Sequence, residues 1–198
     1  MEIKDKYRKK LLEAMVYFAN KLKNPTKMMM YKVLAELDFR HFEQTGLSVT
    51  NLEYEAWNKG PVPKSFHKEI TKGSELVVPK DFEDSIFCEK QEYEDKNTGE
   101  TNTKFVMHSK RKPDLSVFSP RQVKLMEEIS DIYKYSSATT ASKASHEFDK
   151  PWYKTVKKSG EGAIIDYLDQ LTAKSPVSKE EATELKRELL AFKHNYNG

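Results

Sequence analysis

The side chains suited to chemistry are few and scattered along the chain. Histidines stand at positions 41, 67, 108, 146 and 194, and only one has a carboxylate beside it, in the pair His146-Glu147. A histidine next to a glutamate can move a proton near neutral pH. Catalysis by such a pair needs a further nucleophile, ligand or oriented partner, and none accompanies it in sequence, so His146-Glu147 reads first as a structural hydrogen-bonding unit. The single cysteine, Cys88, falls at an apolar position of an expected strand, where a thiol behaves as a small hydrophobe. One cysteine makes neither an internal disulfide nor a Cys-based metal site. The glycine-rich phosphate loop, the HExxH zinc motif and the GxSxG elbow are all missing from the sequence. No catalytic, cofactor or metal residue is assigned, and the chain reads as a non-enzyme.

Composition narrows the class further. The 198 residues suffice for one domain with an appended segment. Basic residues number 34 and acidic ones 31, a net charge of +3 spread along the chain, so no strong field demands a nucleic-acid partner. Arginine appears only at positions 8, 40, 111, 121 and 187, and lysine lacks the planar fork that reads guanine. The clusters Lys6-Tyr7-Arg8-Lys9-Lys10, Lys110-Arg111-Lys112 and Lys154 with Lys157-Lys158 read as solvated faces; nucleic acid is an unlikely partner. The apolar run from Leu11 to Leu22 is interrupted by Glu13, Asn20 and Lys21, which argues against a leader or membrane span. Together with the lone cysteine, this points to the cytoplasm.

The least adjustable backbone is Tyr54-Glu55-Ala56-Trp57-Asn58-Lys59-Gly60-Pro61-Val62-Pro63. Pro61 and Pro63 fix their own φ and push Gly60 and Val62 towards extended geometry. Trp57 brings a large apolar body with one N–H to satisfy. The plain reading is a rigid turn between helices; the sharper one is a surface presented to a partner.

The elements around this stretch follow from periodicity and capping. Leu11, Met15, Phe18 and Leu22 predict an amphipathic helix over about residues 5–23. After Asn24-Pro25, with Asn24 or Thr26 as cap, a second helix should run to about Thr45, with Met30, Val33, Leu34, Leu37 and Phe42 buried and Gly46 closing it. Leu47 to Trp57 reads as a short extended piece or a helical turn, and Pro63 to Thr71 as a helix ended by Gly73. Alternation over Phe82–Tyr93 and Thr101–Ser109, with a turn at Asn97-Thr98-Gly99, predicts a β-hairpin. Ser119-Pro120-Arg121-Gln122 opens a helix through a capping box. Further helices are expected from Ser137 to Phe148, from Pro151, over Ala163–Leu171 and, capped by Ser178, to the C-terminus. The fold class is therefore α+β and mainly α: a helical domain with one small β-hairpin or sheet and an extra C-terminal helix. Residues 1–174 are expected to form the domain, and 175–198 an extension packed on it or projecting from it.

These residues also carry a family resemblance. Lys32-Val33-Leu34, Asp38-Phe39-Arg40-His41, Thr45-Gly46, Ser48, Tyr54 and Gly60-Pro61-Val62-Pro63 resemble the N-terminal signature of the Panacea domain, also known from SocA-type antitoxins and phage-associated GepA proteins. Ser145-His146-Glu147 followed by Pro151-Trp152 is similar to that family's second motif, and the resemblance extends over about residues 7–170. It implies a mainly helical domain that acts without catalysis as an antitoxin. Such a domain binds and neutralises a cognate toxin protein encoded alongside, and in the SocA-like case delivers it to a Clp-type protease. Asp38, Trp57, Gly60, Pro61, Val62, Pro63, His146, Glu147, Pro151 and Trp152 are the candidate residues, either as a seam joining two halves of the chain or as the wall of a groove that takes the toxin. A phage or mobile-element accessory protein that binds nucleic acid or a host factor is the other reading.

Overall fold

A computed structural model describes residues 3–94, 99–136 and 150–196. His146 and Glu147, the helix expected from Ser137 to Phe148 and most of the Asn97-Thr98-Gly99 turn lie outside the described residues. The architecture is α+β and mainly α. Helix α1 (Ile3–Lys21) and helix α2 (Lys27–Thr45) pack side by side with α4 (Pro120–Tyr133). Helix α2 is the spine of the core. Met29 to Ala35, Leu37 to Phe39, His41 and Phe42 are all buried, so its apolar surface runs nearly all the way round, as in a helix enclosed by the rest of a domain. Thr26 caps its start by accepting from Met29 N–H, and Gly46, at φ 71, closes it with its N–H donated to Phe42 O.

Three two-stranded antiparallel sheets surround this helical core among the described residues. The expected long hairpin is present as β5 (Ile86–Glu94) and β6 (Thr101–Ser109), with Cys88 opposite Met107. The free edge of β6 is covered by the α1–α2 connection, where Met107 N–H donates to Pro25 O. The connection after β6 is fixed to α1 by a buried carboxylate. Glu13 takes a bidentate bond from Arg111 at 2.6 and 2.8 Å and a third from Asp114 N–H at 2.7 Å.

Two further hairpins stand where sequence predicts turns. Gly73 joins β3 (Thr71–Lys72) to β4 (Glu75–Leu76) immediately after α3 (Lys64–Ile70). More consequentially, the Gly60 to Pro63 stretch is a strand, β2 (Gly60–Pro63), paired with β1 (Tyr54–Trp57). Prolines are tolerated there because the hydrogen-bonded positions are the alternate ones, as Lys64 N–H donating to Glu53 O shows. The other edge of β1 is also paired. Ala56 N–H donates to Ala163 O, Gly162 N–H to Ala56 O, and Ile165 N–H to Tyr54 O. Two residues thus oppose Ala56, a bulge that uses the left-handed φ of 83 at Gly162. Ala163 to Ile165 is consequently extended, and a short 3-10 turn over Tyr167–Gln170 replaces the helix expected over Ala163–Leu171.

The chain then passes through α5 (Pro151–Ser159) and, after the 3-10 turn, ends in α6 (Lys179–Tyr196). Ser178 and Glu181 cap α6 reciprocally, and its first turns seat on the α2 terminus. A methyl group on Gly46 would lie 2.9 Å from Leu185 Cδ1 and 3.3 Å from Ala182 Cα. Further along, Leu189 is half-buried and Leu190 is 55% exposed. Gly46→Ala therefore strains a left-handed residue and pushes α6 outward. Denaturant unfolding should show a loss of about 1–2 kcal/mol, and limited proteolysis should cut α6 faster than in the wild type.

Candidate functional site

Asp38 lies on the buried side of α2 with no exposed surface. Its Oδ1 accepts from Val49 N–H and Thr50 N–H, both at 2.8 Å, and its Oδ2 from Tyr54 OH at 2.9 Å and from the Thr50 hydroxyl. Tyr167 OH stands 3.5 Å from the same oxygen while donating to Leu52 O at 2.7 Å. One carboxylate thereby ties α2 to the loop 46–53, to the start of β1 and to the 3-10 turn. Among the described residues no salt bridge reaches it. Burial pushes the Asp38 carboxyl above the ordinary carboxylate range, against the opposing pull of the hydrogen bonds from Thr50, Tyr54 and Val49. Tyr54 and Tyr167 are raised well above the usual phenol value by burial first and by the Asp38 charge second.

The β1–β2 hairpin and Trp152 meet directly. Trp152 is buried among Ala35, Phe39, Tyr54, Ala56 and Ile165, and its Nε1–H donates to Trp57 O at 2.8 Å. Gly60, Pro61, Val62, Pro63 and Pro151 are buried as well. Trp57 is different. Its ring is 40% exposed, lies edge-on to His67 with centroids 4.9 Å apart, and donates its N–H to Glu55 at 3.0 Å. Strand alternation puts Glu55, Trp57 and Ile164 on one face of the sheet, with Tyr54, Ala56 and Ile165 on the other. The structure thus joins Asp38, the hairpin and Pro151-Trp152 into one assembly; His146 and Glu147 lie outside the described residues.

Sequence reasoning overlooked Tyr167 and Thr50, and it quoted Lys32 only within the family signature. Lys32 is buried and donates to Lys59 O at the hairpin turn, and burial draws its ammonium down to about 8. In the basic clusters Lys6, Lys110, Lys112, Lys157 and Lys158 are exposed, but the two arginines are not free. Arg8 forks onto Glu69 and Asp81 and covers the Phe82 ring at 4.1 Å, and Arg111 serves Glu13. Cys88 is half-buried, and burial pushes its thiol up to about 11, away from the reactive thiolate. His41 is held neutral by burial, its Nδ1–H donating to Leu47 O at 2.6 Å.

Beside the Asp38 assembly is a groove of about 640 Å³, lined by Tyr7, Phe42, Leu52, Ile164, Lys186 and Leu189 among others. Two of its walls, the loop 46–53 and the segment 164–168, are those fixed by Asp38. Among the described residues there is no metal-ligand cluster and no helix long and apolar enough to cross a membrane.

A family model described as antitoxin SocA-like, Panacea domain, matches residues 30–153. The chain belongs to this family. No curated protein and no solved structure matches it. The Panacea match is narrower than the 7–170 resemblance. It contains Asp38, its partners on the 46–53 loop, the hairpin and Pro151-Trp152; α1, Tyr167, the Gly162–Ile165 strap and α6 lie beyond it.

The raised Asp38 carboxyl has a definite sign in stability. A folded-state value above the unfolded one means that the folded form holds its proton longer, so Asp38 favours folding more as pH falls from neutral through the raised value. Asp38→Asn should lack this component: the stability difference between wild type and variant should shift towards the wild type on going from neutral to about pH 5 in urea titrations. Asp38→Ala leaves two buried amides without an acceptor and should cost about 3–5 kcal/mol at neutral pH.

Proposed function

We propose that this Panacea-domain protein is the antitoxin of a toxin–antitoxin pair, a non-catalytic chain that binds and neutralises a toxin protein encoded beside it in the cytoplasm. The observation that carries this reading is the antitoxin family match, whose span takes in the whole hairpin–Trp152 assembly. Binding rather than catalysis is also supported by where four polar side chains are engaged: Asp38 on the loop and β1, His41 on Leu47, and Arg8 and Arg111 in ion pairs. The ion pairs with Glu69, Asp81 and Glu13 leave Arg8 and Arg111 less available to a phosphate backbone, which favours a protein partner over DNA or RNA. Residues 1–174 form the toxin-binding domain and 175–198 its extension, and delivery to a Clp-type protease is a step that would follow binding.

Within the candidate set we assign two roles on the basis of burial. Trp152, Gly60, Pro61, Val62 and Pro63 hold the seam, and the exposed Trp57 ring offers the aromatic anchor that interfaces favour. Expressing the adjacent reading frame with and without this chain tests the reading. The wild type should relieve growth arrest and copurify with the neighbour. Trp57→Ala should melt close to the wild type yet bind at least about tenfold more weakly, whereas Trp152→Ala should lose about 3–5 kcal/mol of stability. A harmless neighbour, or toxicity unrelieved by the wild-type chain, overturns the antitoxin reading.

A further inference from the structure

The strap Gly162–Ile165, extended over Ala163–Ile165, pairs with the outer edge of β1 through a single bridge and leaves an edge of its own. Ala163 O and Ile165 N–H are turned towards β1. By the alternation of an antiparallel pair, the N–H and C=O of Ile164, which lies opposite Glu55, are turned the other way. Among the described residues neither group has a hydrogen-bond partner. The Ile164 side chain is 43% exposed, and the residue lines the groove of about 640 Å³. Natural proteins usually blunt such an edge with a charge, a proline or a covering segment; here an isoleucine is presented instead.

We propose that Ile164 is a docking edge for an extended segment of the partner protein, which adds as a strand beside the strap. This rests on the toxin-binding reading and supplies its mode of recognition. An extended backbone is favoured over a helix because a helix spends its own N–H and C=O groups internally, whereas a strand offers one of each to Ile164. Side-chain chemistry is set by the surroundings. Phe42, Leu52 and Leu189 in the groove take an apolar residue. The exposed carboxylates Glu53, Glu161 and Asp166 flank the edge at its neighbouring strand and at both ends, so the segment carries lysine or arginine around its apolar residue. The Asp38 hydrogen bonds hold both groove walls in place before the partner arrives, which lowers the cost of ordering them on binding.

The discriminating variant is Ile164→Pro. Proline removes the outward N–H while leaving the β1 hydrogen bonds of Ala163 and Ile165 intact, and it keeps Ala163 extended. Ile164→Val retains the edge. Random peptides displayed on phage, selected on the full chain, should yield sequences with basic residues around an apolar one. Those peptides should protect the Ile164 amide from hydrogen exchange and bind Ile164→Pro about tenfold more weakly, the scale of one lost interfacial hydrogen bond, with Ile164→Val near wild type. Glu53→Lys with Glu161→Lys, both exposed and away from the sheet hydrogen bonds, should weaken the same peptides if Ile164→Pro fails to fold. Peptides that bind both sets of variants as well as the wild type, an Ile164 amide left unprotected, or no enrichment over the variants would overturn the edge. The toxin reading fails separately: peptides that bind the edge while the neighbouring gene product neither competes with them nor is neutralised would leave the edge standing and that partner wrong.

Discussion

A single buried carboxylate sets the geometry on which the rest depends. Asp38 sits on the most enclosed helix of the molecule, and the groups it binds come from a loop, a strand and a 3-10 turn spread over more than a hundred residues of chain. A carboxylate without a cation in such a place is costly to desolvate, and here the compensation comes from a dense set of donors. The arrangement is therefore close to all-or-none. Satisfied, it fixes the 46–53 loop, the entry to β1 and the position of Tyr167 together; with one donor set missing, the charge would be stranded.

The consequences run outward from that point. Tyr54 begins β1, and β1 is paired on both edges, by β2 and by the strap from Ala163 to Ile165. Trp152 closes over the far end of the same hairpin through the Trp57 carbonyl. The family match ends at residue 153, and the strap and α6 beyond it are laid against the matched part.

Much of the fold was legible in local patterns. The apolar stripe of α2, the Thr26 and Gly46 ends, the Ser119-Gln122 box and the alternation of β5 and β6 each have a short-range physical cause, and each is present. The β1–β2 hairpin was harder to read, because two prolines argue against a strand unless the register places both at positions that need no N–H, and register is a tertiary property. Ala163 to Leu171 looked helical, yet its backbone is claimed by β1 and then by an Asp166 cap on Leu168. The solvated reading of the arginines failed for the same reason, since Glu13, Glu69 and Asp81 are distant in sequence from the cations they hold. Asp38 did leave a signal. It stands four residues after Leu34 and four before Phe42, on the stripe whose spacing predicts burial, and such a residue in an enclosed helix must have its donors supplied from elsewhere.

The most direct measurement of this account is native-state hydrogen exchange at the Val49 and Thr50 amides, the two backbone donors to Asp38. If the carboxylate is the fixed point of the assembly, both amides should exchange only through global unfolding, with the same free energy and denaturant dependence as the core amides of α2. Exchange of these two amides by a local opening well below the global unfolding free energy, with α2 still protected, would contradict it.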